Sequence, residues 1–566
     1  MDDCHPAGTL LVASQQAADL KTASLNFKSY SLEPRQLCDL ELLLSGAYAP
    51  LTGYLGREDC ESVLETLRLA DGAPWAMPLS LDVPAGLAER LSIGEQLALR
   101  DGEGFMVAVL TVAEVFEADP EAEARRLFGL QDVEAHPGAA AFVRQMHPRR
   151  LAGRVQGLAL PGHCDYTELR HAPGVLRAEM ARRGWRKVLG VQAEPFPHRR
   201  ERATILDAAM GAGASVLLLH PSIDAMAPGA EHFAAVRCAG HFAATFPRAT
   251  LLLGLLPFWD LGVGPRQALH EALIFKNYGC THFLVAPDQA DPLARSGGEP
   301  CYPLGAAQTL VEDFADEIGI TMVPARPMVY VEDRAQYEPV ENLEPGVTVH
   351  GLEPEEVGRR LEFGLDIPEW FSFPEIIEEL RRAFPPRSRQ GITLFMTGLS
   401  GAGKSTLAKL LYVKFMELRT RPVTLLDGDI VRRHLSSELT FSKAHRNLNI
   451  ERIGYVASEI TKNGGIAICA PIAPYASSRA RARELVSRFG GFVEIHVATP
   501  LSVCEQRDRK GLYAKARAGV LTGVTGIDDP YEVPVAPEIT LDTTALSPGE
   551  AVQEVLLYLE REGYLL

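Results

Sequence analysis

The stretch Gly398-Leu-Ser-Gly-Ala-Gly-Lys-Ser-Thr406 limits what this chain can fold into more than any other. It follows the apolar run Ile392-Thr-Leu-Phe-Met-Thr397, which reads as a buried strand, and precedes Leu407-Ala-Lys-Leu-Leu411, which reads as a helix. G-x-x-x-x-G-K-S between a strand and a helix is a phosphate-binding loop. Its glycines let backbone N–H groups turn toward a triphosphate, and the helix N-terminus adds partial positive charge. Lys404 reaches the outer phosphates and the Ser405 hydroxyl completes a magnesium shell. The expected nucleotide contacts are Gly398, Ser400, Gly401, Ala402, Gly403, Lys404, Ser405 and Thr406.

A second strand is predicted in Val423-Thr-Leu-Leu-Asp-Gly-Asp429, ending in two carboxylates. A phosphoryl transferase acting on a hydroxyl needs a carboxylate near the acceptor to take its proton, and another to hold magnesium or its water shell. Asp427 and Asp429 fill those roles beside Lys404, with Asp427 joining Ser405 on the metal. Further on, Arg432, Phe441, Arg446 and Asn449 offer a cationic clamp, an aromatic face and an amide. That set suits a nucleotide with an anionic tail, because Arg grips phosphate or sulfate bidentately and Phe stacks on a base. A switch GTPase would show Asn-Lys-x-Asp after the loop, and none occurs between residues 391 and 566.

The 566 residues can hold about three domains or more, each with its own core. With 46% hydrophobic and 23% charged residues the composition is that of a soluble globular protein. A net charge of -17 argues against nonspecific partners such as nucleic acid or an anionic membrane. The nine cysteines (Cys4, Cys38, Cys60, Cys164, Cys238, Cys280, Cys301, Cys469 and Cys504) are scattered, with no C-x-x-C pair. Their odd number and the lack of a signal peptide lead us to expect reduced thiols in the cytoplasm. No apolar run reaches the roughly 18 residues that a membrane span requires.

Up to about Leu160, short apolar runs such as Val107-Ala-Val-Leu-Thr-Val112 alternate with Gly, Pro and Asp turns and predict a strand-rich domain. From about Asp165 to Pro368, strands such as Val188-Leu-Gly-Val191, Ser215-Val-Leu-Leu-Leu-His220 and Phe283-Leu-Val-Ala286 alternate with helical stretches. This predicts a parallel sheet whose ligands lie beyond the strand ends. Both segments resemble the ATP sulfurylases (sulfate adenylyltransferases). In the first, the resemblance is carried by Arg35, Cys38-Asp39, Gly46-Ala-Tyr-Ala-Pro-Leu-Thr-Gly53 and Trp75-Ala-Met-Pro78. In the second, it is carried by Gly264-Pro-Arg-Gln-Ala268, Lys276-Asn-Tyr-Gly-Cys-Thr-His282, Met328-Val-Tyr330 and Ile367-Pro-Glu-Trp-Phe-Ser-Phe-Pro-Glu375. The resemblance implies a barrel-like, PUA-like domain over residues 1–164 and a nucleotidyltransferase-type α/β domain over 165–384.

The resemblance fails where that family does its chemistry. Sulfurylases carry Gln-Thr-Arg-Asn-Pro-x-His-x-x-His, and this chain has Gln192-Ala-Glu-Pro-Phe-Pro-His-Arg-Arg-Glu201. Gln192 and His198 are kept; Glu194 stands for the arginine, Pro195 for the asparagine and Glu201 for the second histidine. The family's Gly-Arg-Asp-His-Ala aligns with Ala286-Pro-Asp-Gln-Ala290, which keeps Asp288 and Ala290. These losses lead us to expect a region without sulfurylase activity. Arg199, Arg200 and Arg202 are expected as solvated charges on a helix.

Glu378 to Gln390 closes a helix and breaks on Pro385-Pro386, which predicts a linker over 385–390. Residues 391–566 resemble adenylylsulfate (APS) kinase through the phosphate loop, Asp429-Ile-Val-Arg432, Phe441-Ser-Lys-Ala-His-Arg-Asn-Leu-Asn449, Gln506-Arg-Asp-Arg-Lys-Gly-Leu-Tyr-Ala-Lys-Ala516 and Thr525-Gly-Ile-Asp528. By that resemblance Asp429, Arg432, Phe441, Arg446, Asn449, Ile472, Lys510 and Thr525 hold APS, Arg507 lies near the ATP adenine and residues 507–528 form a lid. The implied reaction converts ATP and APS to ADP and 3′-phosphoadenylylsulfate (PAPS), with Mg2+. The family often has Ile-Ser-Pro-Tyr where this chain has Ile472-Ala-Pro-Tyr475, so no phosphoserine can form at Ala473. The whole order resembles bifunctional PAPS synthetases. The expected function is APS kinase, with a fully bifunctional enzyme as the alternative, and a homo-oligomer, dimer or hexamer, is expected.

Overall fold

The computed structural model describes residues 8–221, 230–295, 297–419, 421–508 and 510–565. Cys4 and Arg509 of the basic stretch lie outside the described residues. The chain divides into two compact units, Met1–Gly358 with Ile367–Ala383 and Arg359–Asp366 with Phe384–Leu566. The eight described cysteines form no disulfide, and no described helix is long and apolar enough to cross a membrane.

The first unit begins with a six-stranded, mostly antiparallel sheet. Met106–Glu117 pairs with Gln96–Arg100 and with Arg149–Gly157, and Arg149–Gly157 also pairs with Gly53–Tyr54 and Leu81–Val83. Against it packs helix Pro34–Ser45, started by a reciprocal Glu33/Gln36 capping box with Pro34 in the first turn and stopped by Gly46 in the left-handed region. Its Arg35 is buried and pairs with fully buried Asp82 at 2.6 Å.

The rest of this unit is built on a parallel five-stranded sheet in the order Thr321–Pro324, His282–Val285, Val188–Gln192, Ser215–Pro221, Leu251–Leu256. The strand order reverses between Val188–Gln192 and His282–Val285, which makes the ends of those two strands the natural ligand crevice. Helix Pro265–Asn277 is buried from Gln267 to Phe275 and joins the two segments into one apolar core running from Leu32 to Ile320. Its Arg266 donates to the carbonyls of Val63 and Leu64 (2.9 Å each) and Ala76 (3.1 Å). Its His270 sits 5.1 and 5.3 Å from the Tyr48 and Trp75 rings, where burial pushes the imidazole down to about 3.

In the second unit all five strands are parallel, in the order Val423–Asp427, Ile466–Ala470, Ile392–Thr397, Gly491–Val497, Ile539–Leu541. Ile392–Thr397 is buried at every position because its alternate side chains enter two different cores. Ile392, Leu394 and Met396 meet Leu407, Leu411 and Val555 on one face, while Phe395 meets Ile453, Ala457 and Ala482 on the other. Truncating such a residue to alanine typically costs about 2–5 kcal/mol.

Candidate active site

The phosphate loop leaves strand Ile392–Thr397 at Gly398, whose φ is 149°. A Cβ there would stand 2.5 Å from the Val497 carbonyl oxygen, so a larger residue would push on the neighbouring strand. The loop ends at Gly403, which opens helix Lys404–Leu418. Thr499 and Thr543 donate their hydroxyls to the Ala402 carbonyl (2.9 and 3.0 Å), and the buried Tyr513 donates to that of Ser400 (2.8 Å). Lys404 Nζ donates to the carbonyls of Gly398 and Leu399 (2.8 Å each). Four loop carbonyls therefore accept from side chains, which fixes the loop's backbone. Burial pushes the Lys404 ammonium down to about 8 against the pull of Cys504, Asp427 and Asp429, while Lys510 pushes the same way as burial. Ser405 and Thr406 lie exposed in the helix's first turn.

Asp427 ends strand Val423–Asp427 and caps the next helix, Gly428–His434, accepting from the Asp429 N–H at 3.0 Å. The two carboxylates were expected together at the end of a strand. Instead Asp429 lies in the first turn of that helix, because the Asp427 side chain satisfies a free helical N–H and starts the helix two residues early. Lys510 pairs with Asp429, both well exposed. Arg507 holds the Thr543 hydroxyl (2.7 Å) and carbonyl (3.0 Å). Through Thr543 it is tied to the loop at Ala402.

Among the residues expected to hold the acceptor, the Arg432 guanidinium lies 4.5 Å from the ring centre of the exposed Phe441, a contact worth roughly 0.5–1 kcal/mol. Burial, and then the charge of Arg446, lower the Arg432 pKa. Asn449 is buried on helix Lys443–Lys462, and its Oδ1 has no donor among the described residues. The Ile472 carbonyl accepts from Thr397 Oγ1 (2.8 Å) and from the Gly398 N–H (3.3 Å), tying it to the base of the loop. Thr525 is buried and accepts from Arg446 Nη1 at 2.6 Å. Sequence reasoning gave no role to Tyr513, although it stands in the Gln506–Ala516 stretch, and it missed Thr499, Thr543 and Asp529; the signal for Asp529 was its place directly after Thr525-Gly-Ile-Asp528.

The crevice of the first unit is organised differently. Gln192 ends strand Val188–Gln192, and its amide, assigned with the nitrogen toward Glu271, donates to both oxygens of that carboxylate (2.7 Å to Oε2). Glu271 is fully buried and also accepts from Gln267 and Gln289 at 2.8 Å each. Asp288 is half-buried beside Gln289. His198 and Glu201 form a capping box at the start of helix Arg199–Ala212, Glu201 Oε2 accepting from the His198 N–H at 2.8 Å. The His198 ring packs on Phe371 at 4.4 Å and meets Ser372 Oγ at 2.8 Å, and burial lowers its pKa. Burial works against the Glu201 carboxylate, but Arg200 and His198 outweigh it and hold that group low. Glu194 and Pro195 are exposed.

Arg199 and Arg202 were expected in solvent. Instead Arg199 lies 4.5 Å over Phe373 and donates to Ser372 O, while Arg202 lies 5.5 Å over Phe246 and donates to Thr245 O. Their long stems cover apolar surface, which draws the heads onto aromatic rings. Arg200 is exposed and pairs with Glu201 at 2.9 Å.

Three family models match the chain: a PUA-like domain over residues 6–160, ATP-sulfurylase over 167–383 and adenylylsulphate kinase over 390–542. The sulfate adenylyltransferase of Chaetomium globosum is 41% identical over 98% of this chain and 96% of its own length. That of Mycosarcoma maydis is 41% identical over 97% and 96%. A solved structure described as the hexameric APS kinase from Thiobacillus denitrificans is 40% identical and covers 99% of both chains with a TM-score of 0.82. The chain therefore belongs to the family of sulfate adenylyltransferases in which an ATP-sulfurylase domain is followed by an adenylylsulphate kinase domain.

Proposed function

We propose that the second unit transfers the γ-phosphate of ATP to the ribose 3′-hydroxyl of APS, giving PAPS and ADP, and that the crevice of the first unit no longer makes APS. One contrast carries the reading. Lys404 is a buried cation held by two neutral carbonyls that phosphate oxygens can replace, whereas Gln192 already donates to the buried anion Glu271.

In the kinase reaction Lys404 turns from its loop carbonyls to the outer phosphate oxygens and stabilises the charge that develops there. Asp429 takes the 3′-hydroxyl proton. Arg432 and Phe441 receive the anionic tail and the base, and the unpaired acceptor on Asn449 suits a hydroxyl or amino donor of the substrate. Ala473 is buried and has no hydroxyl, so phosphate passes straight to the nucleotide. Mg2+ fits the oxygen donors of Ser405 and Asp427. Among the described residues no group of three or more His, Cys, Asp or Glu could hold an ion alone, as suits a cation that keeps waters and borrows phosphate oxygens. When bound it supplies neutralisation of triphosphate charge.

For the first unit, Glu194 at the place of the family's arginine reverses a charge. Each unit is worth roughly 4 kcal/mol at about 4 Å and an effective dielectric near 20. Halved by solvent, the two-unit change still costs about a thousandfold in rate. A second reading, a working bifunctional enzyme, is favoured by the name sulfate adenylyltransferase borne by the 41% identical relatives. Two assays on pure protein separate the readings: PAPS formation from APS and ATP, expected, and ATP formation from APS and pyrophosphate, not expected. Robust pyrophosphate-dependent turnover that survives Lys404→Ala but is lost in His198→Ala would establish the bifunctional reading. A solved relative is described as hexameric, and we propose a homo-oligomer here, to be read by light scattering.

A further inference from the structure

We infer that Asp529 is a positioning residue for the acceptor side of the kinase site, docking the 523–529 turn onto Arg446 and Tyr475 so that the APS pocket is complete when the turn is seated. The inference rests on the kinase reading above.

The hydrogen bonds of Arg446 carry the argument. Its Nε donates to Phe441 O (2.8 Å), its Nη1 to Thr525 Oγ1 (2.6 Å) and Asp529 Oδ2 (2.7 Å), and its Nη2 to Gly523 O. A guanidinium has five N–H donors, and these contacts engage both terminal nitrogens. Arg446, which the resemblance places among the residues that hold APS, is thereby fixed in one orientation by the seated turn, and Arg432, whose carbonyl contacts are long at 3.4 and 3.5 Å, is the less engaged guanidinium. Arg446 and Asp529 are mostly buried (11% and 21% exposed), so the carboxylate is the counter-ion that makes burying the arginine tolerable.

The same carboxylate accepts from the buried Tyr475 hydroxyl, at 2.9 Å to Oδ1 and 3.1 Å to Oδ2. Tyr475 ends the 472–475 loop, which is tied through Ile472 O to Gly398 at the root of the phosphate loop. The Lys443 ammonium lies 4.9 Å over the Tyr475 ring and adds positive charge on that side. Adjacent aspartates divide the work. Asp528 folds the turn by accepting from the Gly523 and Val524 N–H groups, and Asp529 docks the folded turn. One side chain thus links helix Lys443–Lys462, the base of the phosphate loop and the turn.

Steady-state kinetics and hydrogen exchange on the full chain test this. Asp529→Asn keeps the shape and removes the charge, and is expected to raise KM for APS about 10- to 30-fold while leaving KM for ATP and kcat within about threefold. Tyr475→Phe is expected to shift KM for APS the same way by less, and the double variant to be no worse than Asp529→Asn, because both changes break one shared carboxylate network. Amide exchange across residues 523–529 is expected to quicken in Asp529→Asn with or without substrate. Unchanged exchange overturns the inference whatever the activity, and so does an equal loss on the ATP side or strict additivity of the two variants. Should the unmodified protein fail to phosphorylate APS, the kinase reading falls, and exchange over 523–529 still decides whether Asp529 seats the turn.

Discussion

Each unit contains a parallel sheet with a polar crevice beyond its strand ends, and a buried charge stands in each. In the second unit it is Lys404, a cation resting on the carbonyls of Gly398 and Leu399, its proton affinity pushed down by burial. In the first it is Glu271, an anion receiving donors from Gln192, Gln267 and Gln289. Neutral partners leave Lys404 under-compensated, so an arriving anion gains what the loop cannot supply. Three amides satisfy Glu271, so an arriving anion would have to displace a carboxylate already in place. A buried ammonium with two acceptors has a donor held in reserve for a ligand, whereas a carboxylate that already accepts from three amides has its oxygens engaged.

The largest effect should come from removing the charge in reserve. Lys404→Ala is expected to lower PAPS formation by about 100- to 1,000-fold, the usual consequence of losing one preorganised charge at a transferring group. Because Lys404 packs within its own unit, denaturant unfolding of the first unit should be unchanged. Turnover close to that of the unmodified protein would break the comparison at its stronger end.

Much of this was legible in sequence, and the reason is locality. The run Ile392–Thr397, the glycines after it and the helix behind them declare themselves within some 25 residues, since strand, turn and helix signals are all short-range. The parallel sheet of the first unit was legible for the same reason, from the apolar runs at Val188–Gln192, Ser215–Pro221 and His282–Val285. Contacts across the chain were not. Thr543 supports Ala402 from 141 residues away, and nothing beside either residue says so. Glu271 reads as an ordinary charge in a helical stretch, yet the helix carrying it is buried from Gln267 to Phe275. Arg199 and Arg202 read as solvated because their partners Phe373 and Phe246 lie far off in sequence.

A middle-sized effect should follow from disturbing the satisfied charge. Glu271→Gln keeps the volume but gives the three surrounding amides a neutral acceptor that brings N–H groups of its own. At least one buried donor then goes unpaired, at a cost of about 1–3 kcal/mol. The loss should appear as earlier unfolding of the first unit in denaturant, with kinase turnover unaffected. A variant as stable as the parent would mean that Glu271 is not the keystone of that crevice.

The smallest effect is a pH dependence, and its sign follows from Lys404 alone. The ammonium is present below pH 8 in the free enzyme and is lost as pH rises through about 8. Since kcat/KM reports the free enzyme, kcat/KM for ATP should fall about tenfold per pH unit above that point. With ATP bound, phosphate oxygens hold the proton on Lys404, so kcat should stay flat over the same range. Stability should move the other way. The unfolded chain keeps the Lys404 proton up to about 10.4, so between pH 8 and that value it binds more protons than the folded state. In that window the unliganded second unit should gain stability relative to a Lys404→Met variant as pH rises, whereas ATP binding weakens. Lys404→Arg, whose guanidinium does not titrate there, should abolish the inflection in kcat/KM even if its turnover is low. An inflection near pH 8 that persists in Lys404→Arg would assign the titration to another group and remove the claim that the charge of Lys404 is held in reserve.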